Sequence, residues 1–167
     1  PELTLEIMEL ILEKARAAKA ANNNGIALNH YKAILKKQAV VLATYQPGTV
    51  QLFRAAAILA EAGFWVAEPA MKKLDGIKVA QNFGPKQINA AVVEVLDELA
   101  VVEQYGVAEW TVAAMYRQGQ AMKRISDIFA EAEPWPGLPE EAVEAFNDKM
   151  GENKAAYIEE AVKVWLQ

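Results

Sequence analysis

The sequence predicts an all-α protein of about six helices, arranged as successive antiparallel hairpins and stacked as an open α-solenoid. Three observations carry this expectation. Apolar residues recur at three- and four-residue steps over long windows, the period of a helix buried on one side. Ala supplies much of the 53% hydrophobic share, which favours close-packed helices over strands. No segment reads as a strand with a partner elsewhere in the chain. Short connections make consecutive helices antiparallel neighbours. Long, similar helices and chain ends that look open favour the solenoid over a closed bundle.

The first helix is expected from about Leu3 to Ala21, with Leu5, Met8, Leu12 and Ala15 at helical spacing and Leu3, Ile7, Leu10 and Ile11 widening the apolar face. Its acids (Glu2, Glu6, Glu9) lie early and its bases (Lys14, Arg16, Lys19) late, which suits the helix dipole. Asn22-Asn23-Asn24-Gly25 ends it, Asn or Gly being able to take the left-handed cap conformation. A second helix is expected from about Ala27 to Tyr45, on the stripe Ala27, Tyr31, Ile34, Gln38, Val41 and Tyr45.

Pro47-Gly48 breaks the chain and Thr49 is placed to cap the third helix, whose stripe reads Val50, Phe53, Ala57, Ala60 and Phe64. Its Ala-rich middle around Gly63 suits close approach of a neighbour, and Pro69 should kink or end it, with helix resuming towards Leu74. Ile77 to Phe83 reads as a helical turn or coil that returns Phe83 to the core.

The fourth helix, about Lys86 to Gln104, has the clearest period: Ile88, Val92, Val95, Leu99 and Val102. The fifth, about Ala108 to Glu133, follows Val112, Met115, Gly119, Met122, Ile125 and Phe129. Gly119 inside that stripe costs about 1 kcal/mol of helix propensity relative to Ala, which suggests another backbone passing close by. The sixth starts at Pro139 and runs to the end on Val143, Phe146, Met150, Tyr157, Ala161 and Val164, weakened midway by Gly151 and Asn153.

At 167 residues the chain can bury one domain-sized core. It reads as a single helical-repeat domain cut from a longer protein, with subrepeats at about 1–75 and 86–167. The net charge of −5 argues against nucleic acid as the main partner, because phosphate binding needs a basic face. The charge is uneven: residues 1–80 carry +3 and residues 81–167 carry −8, a polarity that would help similar segments stack head to tail. Without cysteines there are no disulfides or thiolate metal sites. No uninterrupted apolar run approaches the ~20 residues of a membrane span.

An internal repeat is visible at an offset of roughly sixty residues, the length of a pair of long helices. Ala39-Val40-Val41, Tyr45, Val50 and Phe53-Arg54 correspond in order to Ala100-Val101-Val102, Tyr105, Val112 and Tyr116-Arg117.

The segment from Tyr105 to Trp165 carries Tyr105-Gly106, Glu109-Trp110, Val112-Ala113-Ala114-Met115-Tyr116-Arg117 and Gly119, then Pro134, Pro136-Gly137-Leu138 and Glu140-Glu141 before an acidic amphipathic helix. In this order and spacing it resembles a motif of large bacterial proteins built of tetratricopeptide-like repeats, many associated with Gram-negative cell envelopes. Two departures stand out: Pro139 replaces the Ser cap the family tends to offer, and the helices exceed those of the ordinary repeat of ~34 residues. The resemblance implies a TPR-like helical scaffold in the periplasm or cell envelope, and gives no activity.

The chemistry-bearing residues point away from catalysis. His30 is the only histidine, so neither a His metal pair nor a Ser/His/Asp triad can form within the chain, and a surface or capping role is expected of it. Glycines fall singly, with no phosphate-cradling loop. No catalytic, cofactor-binding or metal-ligating residue is therefore expected. The residues expected to meet a partner are Trp65, Trp110, Tyr116, Arg117 and Trp135. Trp135, held between two prolines, is either tucked over a helix end, the preferred placement, or displayed as an anchor. Arg117 is expected to pair with an acid of an adjacent helix.

The function these features predict is a non-enzymatic helical-repeat scaffold that binds a protein or peptide partner, neighbouring repeats of the same chain included. The alternative is a closed helical bundle around an apolar small molecule. A third possibility is an enzyme whose catalytic residues lie outside this piece.

Overall fold

A computed structural model describes residues 2–77 and 85–166. Every regular element in them is helical: α1 (Glu2–Ala20), α2 (Asn24–Leu35), α3 (Gln38–Thr44), α4 (Val50–Asp75), α5 (Pro85–Glu103), α6 (Ala108–Glu131) and α7 (Glu140–Trp165). Six helical spans were expected, and the second is broken into α2 and α3. At the break Lys37 N–H bonds the Ile34 carbonyl, three residues back, a tightened turn that still leaves Ile34 and Val41 in the core. The expected placement of Ile77 to Phe83, with Phe83 on the core, lies outside the described residues beyond Ile77.

The turns follow their local chemistry. Asn22 takes φ 59°, Asn23 N–H reaches Ala18 O and Asn22 N–H reaches Lys19 O, so α1 ends in a paired-carbonyl cap. Asn24 and Gly25 then belong to α2, which starts three residues earlier than expected. Gln46-Pro47-Gly48-Thr49 and Trp135-Pro136-Gly137-Leu138 are the same device: proline second, a positive-φ glycine third (83° and 84°), and a bond from the fourth N–H to the first carbonyl. Thr49 Oγ1 accepts from Leu52 N–H at 3.3 Å, capping α4 as predicted. Pro69 does not end α4, which runs through it to Asp75.

The chain forms two compact units, residues 1–68 with 98–114, and residues 69–97 with 115–167. In the first, Leu5, Met8, Leu12 and Ala15 of α1 meet Ala27, Tyr31 and Ile34 of α2, Val41 of α3, and Ala55, Ile58, Leu59 and Ala62 of α4. The predicted α1 stripe is fully buried, but Leu3, Ile7 and Leu10 face solvent. The two ion pairs between α1 and α4, Arg16–Glu61 and Glu9–Arg54, each join residues 45 positions apart. A constant separation means that the two helices run parallel. The α4 stripe differs from expectation at its start: Val50 and Phe53 are exposed, and the buried face begins at Ala55. A helix apolar nearly all round offers periodicity no unique inner face. At Gly63 an added Cβ would lie 3.2 Å from Val102 Cγ2, so the close neighbour there is a side-chain tip.

In the second unit the predicted α5 residues Ile88, Val92 and Val95 are buried, as are Leu74 and Met71 of α4. On this part of α6 the buried positions are Gly119, Ala121, Ile125, Ser126 and Ile128, while Met115, Met122 and Phe129 are half-buried. In α7 only Ala161 is fully buried; the rest of its predicted stripe is half-buried. Gly119 meets the Trp165 ring, and Ser126 Oγ donates to Lys154 O at 3.0 Å, so α6 and α7 run antiparallel. What approaches Gly119 is therefore the indole of Trp165, not a second backbone.

By length and composition α4 could cross a membrane, the one described helix that could, and half of its most apolar window is buried inside the protein. The exposed Arg54 and the paired Glu61 interrupt the run, and Ala55, Leu59, Ala60 and Ala62 are buried in the core.

Candidate functional site

The structure brings two of the five expected partner residues together. Trp65 of α4 and Trp110 of α6 lie 6.4 Å apart between ring centroids, at 74°. Phe64 contacts both, and Tyr31 of α2 stacks on Trp65 at 6.4 Å and 28°. Helical geometry explains the grouping: Glu61 and Trp65 are one turn apart on α4, as Arg16 and Lys19 are on α1. Parallel α1 and α4 therefore present two matched rungs. Arg16 Nε donates to Glu61 Oε1 at 2.8 Å and its Nη2 binds the second carboxylate oxygen, a fork-on-fork pair. The Lys19 ammonium sits over the Trp65 ring, where the electron-rich face attracts a cation.

Arg16, Lys19, Tyr31, Glu61, Trp65 and Trp110 line an open cleft of about 530 Å³, together with Ala20 and Asn22. The Glu61 side chain is 7% exposed and that of Arg16 59%, so the carboxylate is held inside while its partner reaches water. The hydrogen bond to Glu61 holds the Arg16 guanidinium above its ordinary pKa. Tyr31 is 2% exposed and its hydroxyl has no hydrogen-bond partner. Burial first, and the Glu61 charge second, push that phenol up to about 12, partly offset by Arg16.

The other expected residues lie in the second unit. Tyr116 is exposed and stacks on Trp165 at 6.3 Å, while its carbonyl accepts from Trp165 Nε1 at 3.2 Å. Arg117 Nη1 donates to Gln120 Oε1 at 2.7 Å, one turn along its own helix, beside a smaller cleft of about 210 Å³ with Asp75, Lys123, Arg124 and Asp127. Trp135 is 59% exposed. The preferred tucked placement is corrected: Trp135 is the first residue of the Pro-Gly turn, and its ring is left largely in solvent.

Sequence reasoning missed Arg16, Lys19, Tyr31 and Glu61 as part of a site. One signal was present, since Glu61 is the only acid between Val50 and Val66, a mostly apolar stretch whose one other charge is Arg54, and such an acid needs a partner. It also missed Arg124, whose Nη2 donates to Ile77 O at 2.6 Å just past the end of α4.

Among the described residues no three His, Asp or Glu side chains are grouped to hold a metal ion. Comparison with protein-family models, with curated proteins and with solved structures found no match.

Proposed function

We propose that the chain is a non-enzymatic, TPR-like helical-repeat scaffold that docks a protein or peptide segment on the Trp65–Trp110 cleft. The observation that carries this reading is the pairing of two half-buried tryptophans at the mouth of an open cleft. Tryptophan dominates binding energy at interfaces because it desolvates a large area at low entropy cost. The open cleft suits a segment laid across it better than an enclosed small molecule.

Two further observations support the repeat. Parallel α1 and α4 have the relation that first helices of successive hairpins take in a solenoid. The two blocks of the internal repeat also share their burial: Val41 and Val102 are buried, Tyr45 and Tyr105 half-buried, and Val50, Phe53, Val112 and Tyr116 exposed.

A random-peptide display selection against the whole chain tests the docking role. Selected peptides should perturb tryptophan fluorescence and lose at least ~30-fold in affinity on Trp110→Ala, the hot-spot range of ~2 kcal/mol. A selection that enriches nothing, or peptides indifferent to a folded Trp110→Ala chain, overturns it. Turnover of a substrate by the chain itself overturns the non-enzymatic part.

A further inference from the structure

The cleft already contains a guest of its own. Lys19 reaches from α1 and lays its ammonium over the Trp65 ring, so the field there suits a cation. We propose that Lys19 is an internal stand-in, and that the cleft receives a lysine side chain of the docked segment, whose ammonium replaces that of Lys19. This rests on the docking reading above and names the chemistry that the segment must bring.

Two features select this guest. Trp65 and Trp110 meet nearly at right angles with Tyr31 beside them, an aromatic corner that attracts cations and disfavours anions at its faces. The charges agree: Arg16 and Glu61 neutralise one another, and Glu109, next to Trp110, is near enough to act on Arg16. With Lys19 swung into solvent, the local balance is one negative charge. Lys19 can leave without unfolding α1, being near its last turn on a flexible four-carbon stem.

The test uses the indole N–H resonances of the ¹⁵N-labelled whole chain, titrated with four probes: N-acetyl-lysine methylamide, its uncharged norleucine analogue, tetramethylammonium and acetate. The lysine probe should shift the Trp65 and Trp110 signals, and norleucine and acetate should not. Lys19→Met keeps a good helix former, removes the competitor, and should tighten lysine binding at least threefold. Equal shifts with norleucine, preference for acetate, or no gain in Lys19→Met overturn the stand-in assignment. Tetramethylammonium should shift the same signals, because an aromatic corner attracts any cation, and its failure to do so overturns the aromatic part of the assignment. Displayed peptides that need Trp110 but carry no lysine would sink this inference while leaving the docking reading intact.

Discussion

The seam between α1 and α4 and the seam between α6 and α7 solve the same problem differently. In the first, four consecutive inward positions of α1 are buried against Ala55, Ile58, Leu59 and Ala62, and ion pairs flank the apolar contact. In the second, α7 buries one residue completely and is held at separate points: Trp165 at Gly119, Phe129 stacked on Tyr157 at 5.6 Å, and Ser126 on a backbone carbonyl. Continuous burial spreads stability along a helix, so losing one contact leaves the others in place. Point attachment concentrates it, so one substitution can release a segment. The first seam should therefore unfold with its whole unit and the second should open locally.

The largest effect that would break this contrast is in the first core. Leu59 is fully buried, and Leu59→Ala should cost about 2–5 kcal/mol with a single cooperative urea transition. A loss below ~1 kcal/mol would mean that the core is not packed as described.

Next come the two ion pairs of that seam, which differ in burial. Arg16→Ala strands the inward-held Glu61 carboxylate and should cost about 2–3 kcal/mol. Arg54→Ala breaks the exposed pair with Glu9 and should cost less than ~1 kcal/mol. Equal losses in urea titrations would show that burial does not separate them.

Gly119→Ala sharpens the contrast from the other side. The new Cβ would overlap the Trp165 ring, a strain of about 1–3 kcal/mol against a helix-propensity gain of about 1 kcal/mol. Trp165 should be expelled and amide exchange should rise over Tyr157–Leu166, with little change in α1. Adding Trp165→Ala should remove the strain, so the double variant is more stable than additivity predicts. Unchanged exchange in α7 would remove the point-attachment account.

The smallest effect is in pH dependence. An unfolded tyrosine loses its proton near 10, and folded Tyr31 holds it to about 12. Between those values the unfolded state binds fewer protons, so stability is intact below about pH 10 and falls as pH rises towards 12. Tyr31→Phe should flatten that decline in urea titrations between pH 7 and 11, with a residual slope from Tyr105, whose phenol burial also raises. At neutral pH the variant should be no less stable, since the hydroxyl it removes has no partner.

The sequence by itself determined that the chain is helical and, for α5 and the central stripe of α1, which positions face inward. It also widened the α1 face to Leu3, Ile7 and Leu10, which lie in solvent. Propensity and 3.6-residue periodicity are local quantities, and Leu5, Met8, Leu12 and Ala15 or Ile88, Val92 and Val95 express them over several turns. The Pro47-Gly48 break and the cap at Thr49 were legible for the same reason, being settled within four residues. The Asn22–Gly25 run, by contrast, marked the end of α1 without saying that Asn22 takes the left-handed conformation. Of the candidate site, Trp65 and Trp110 were legible as large aromatics, but not that they meet. Only the tertiary structure decided the buried face of α4, the exposure of Trp135 and the neighbour of Gly119. It also decided the convergence of Arg16, Lys19, Tyr31 and Glu61 on the two tryptophans. Each of these depends on which surface a distant helix presents, and residues 45 positions apart leave no periodic trace of having come into contact.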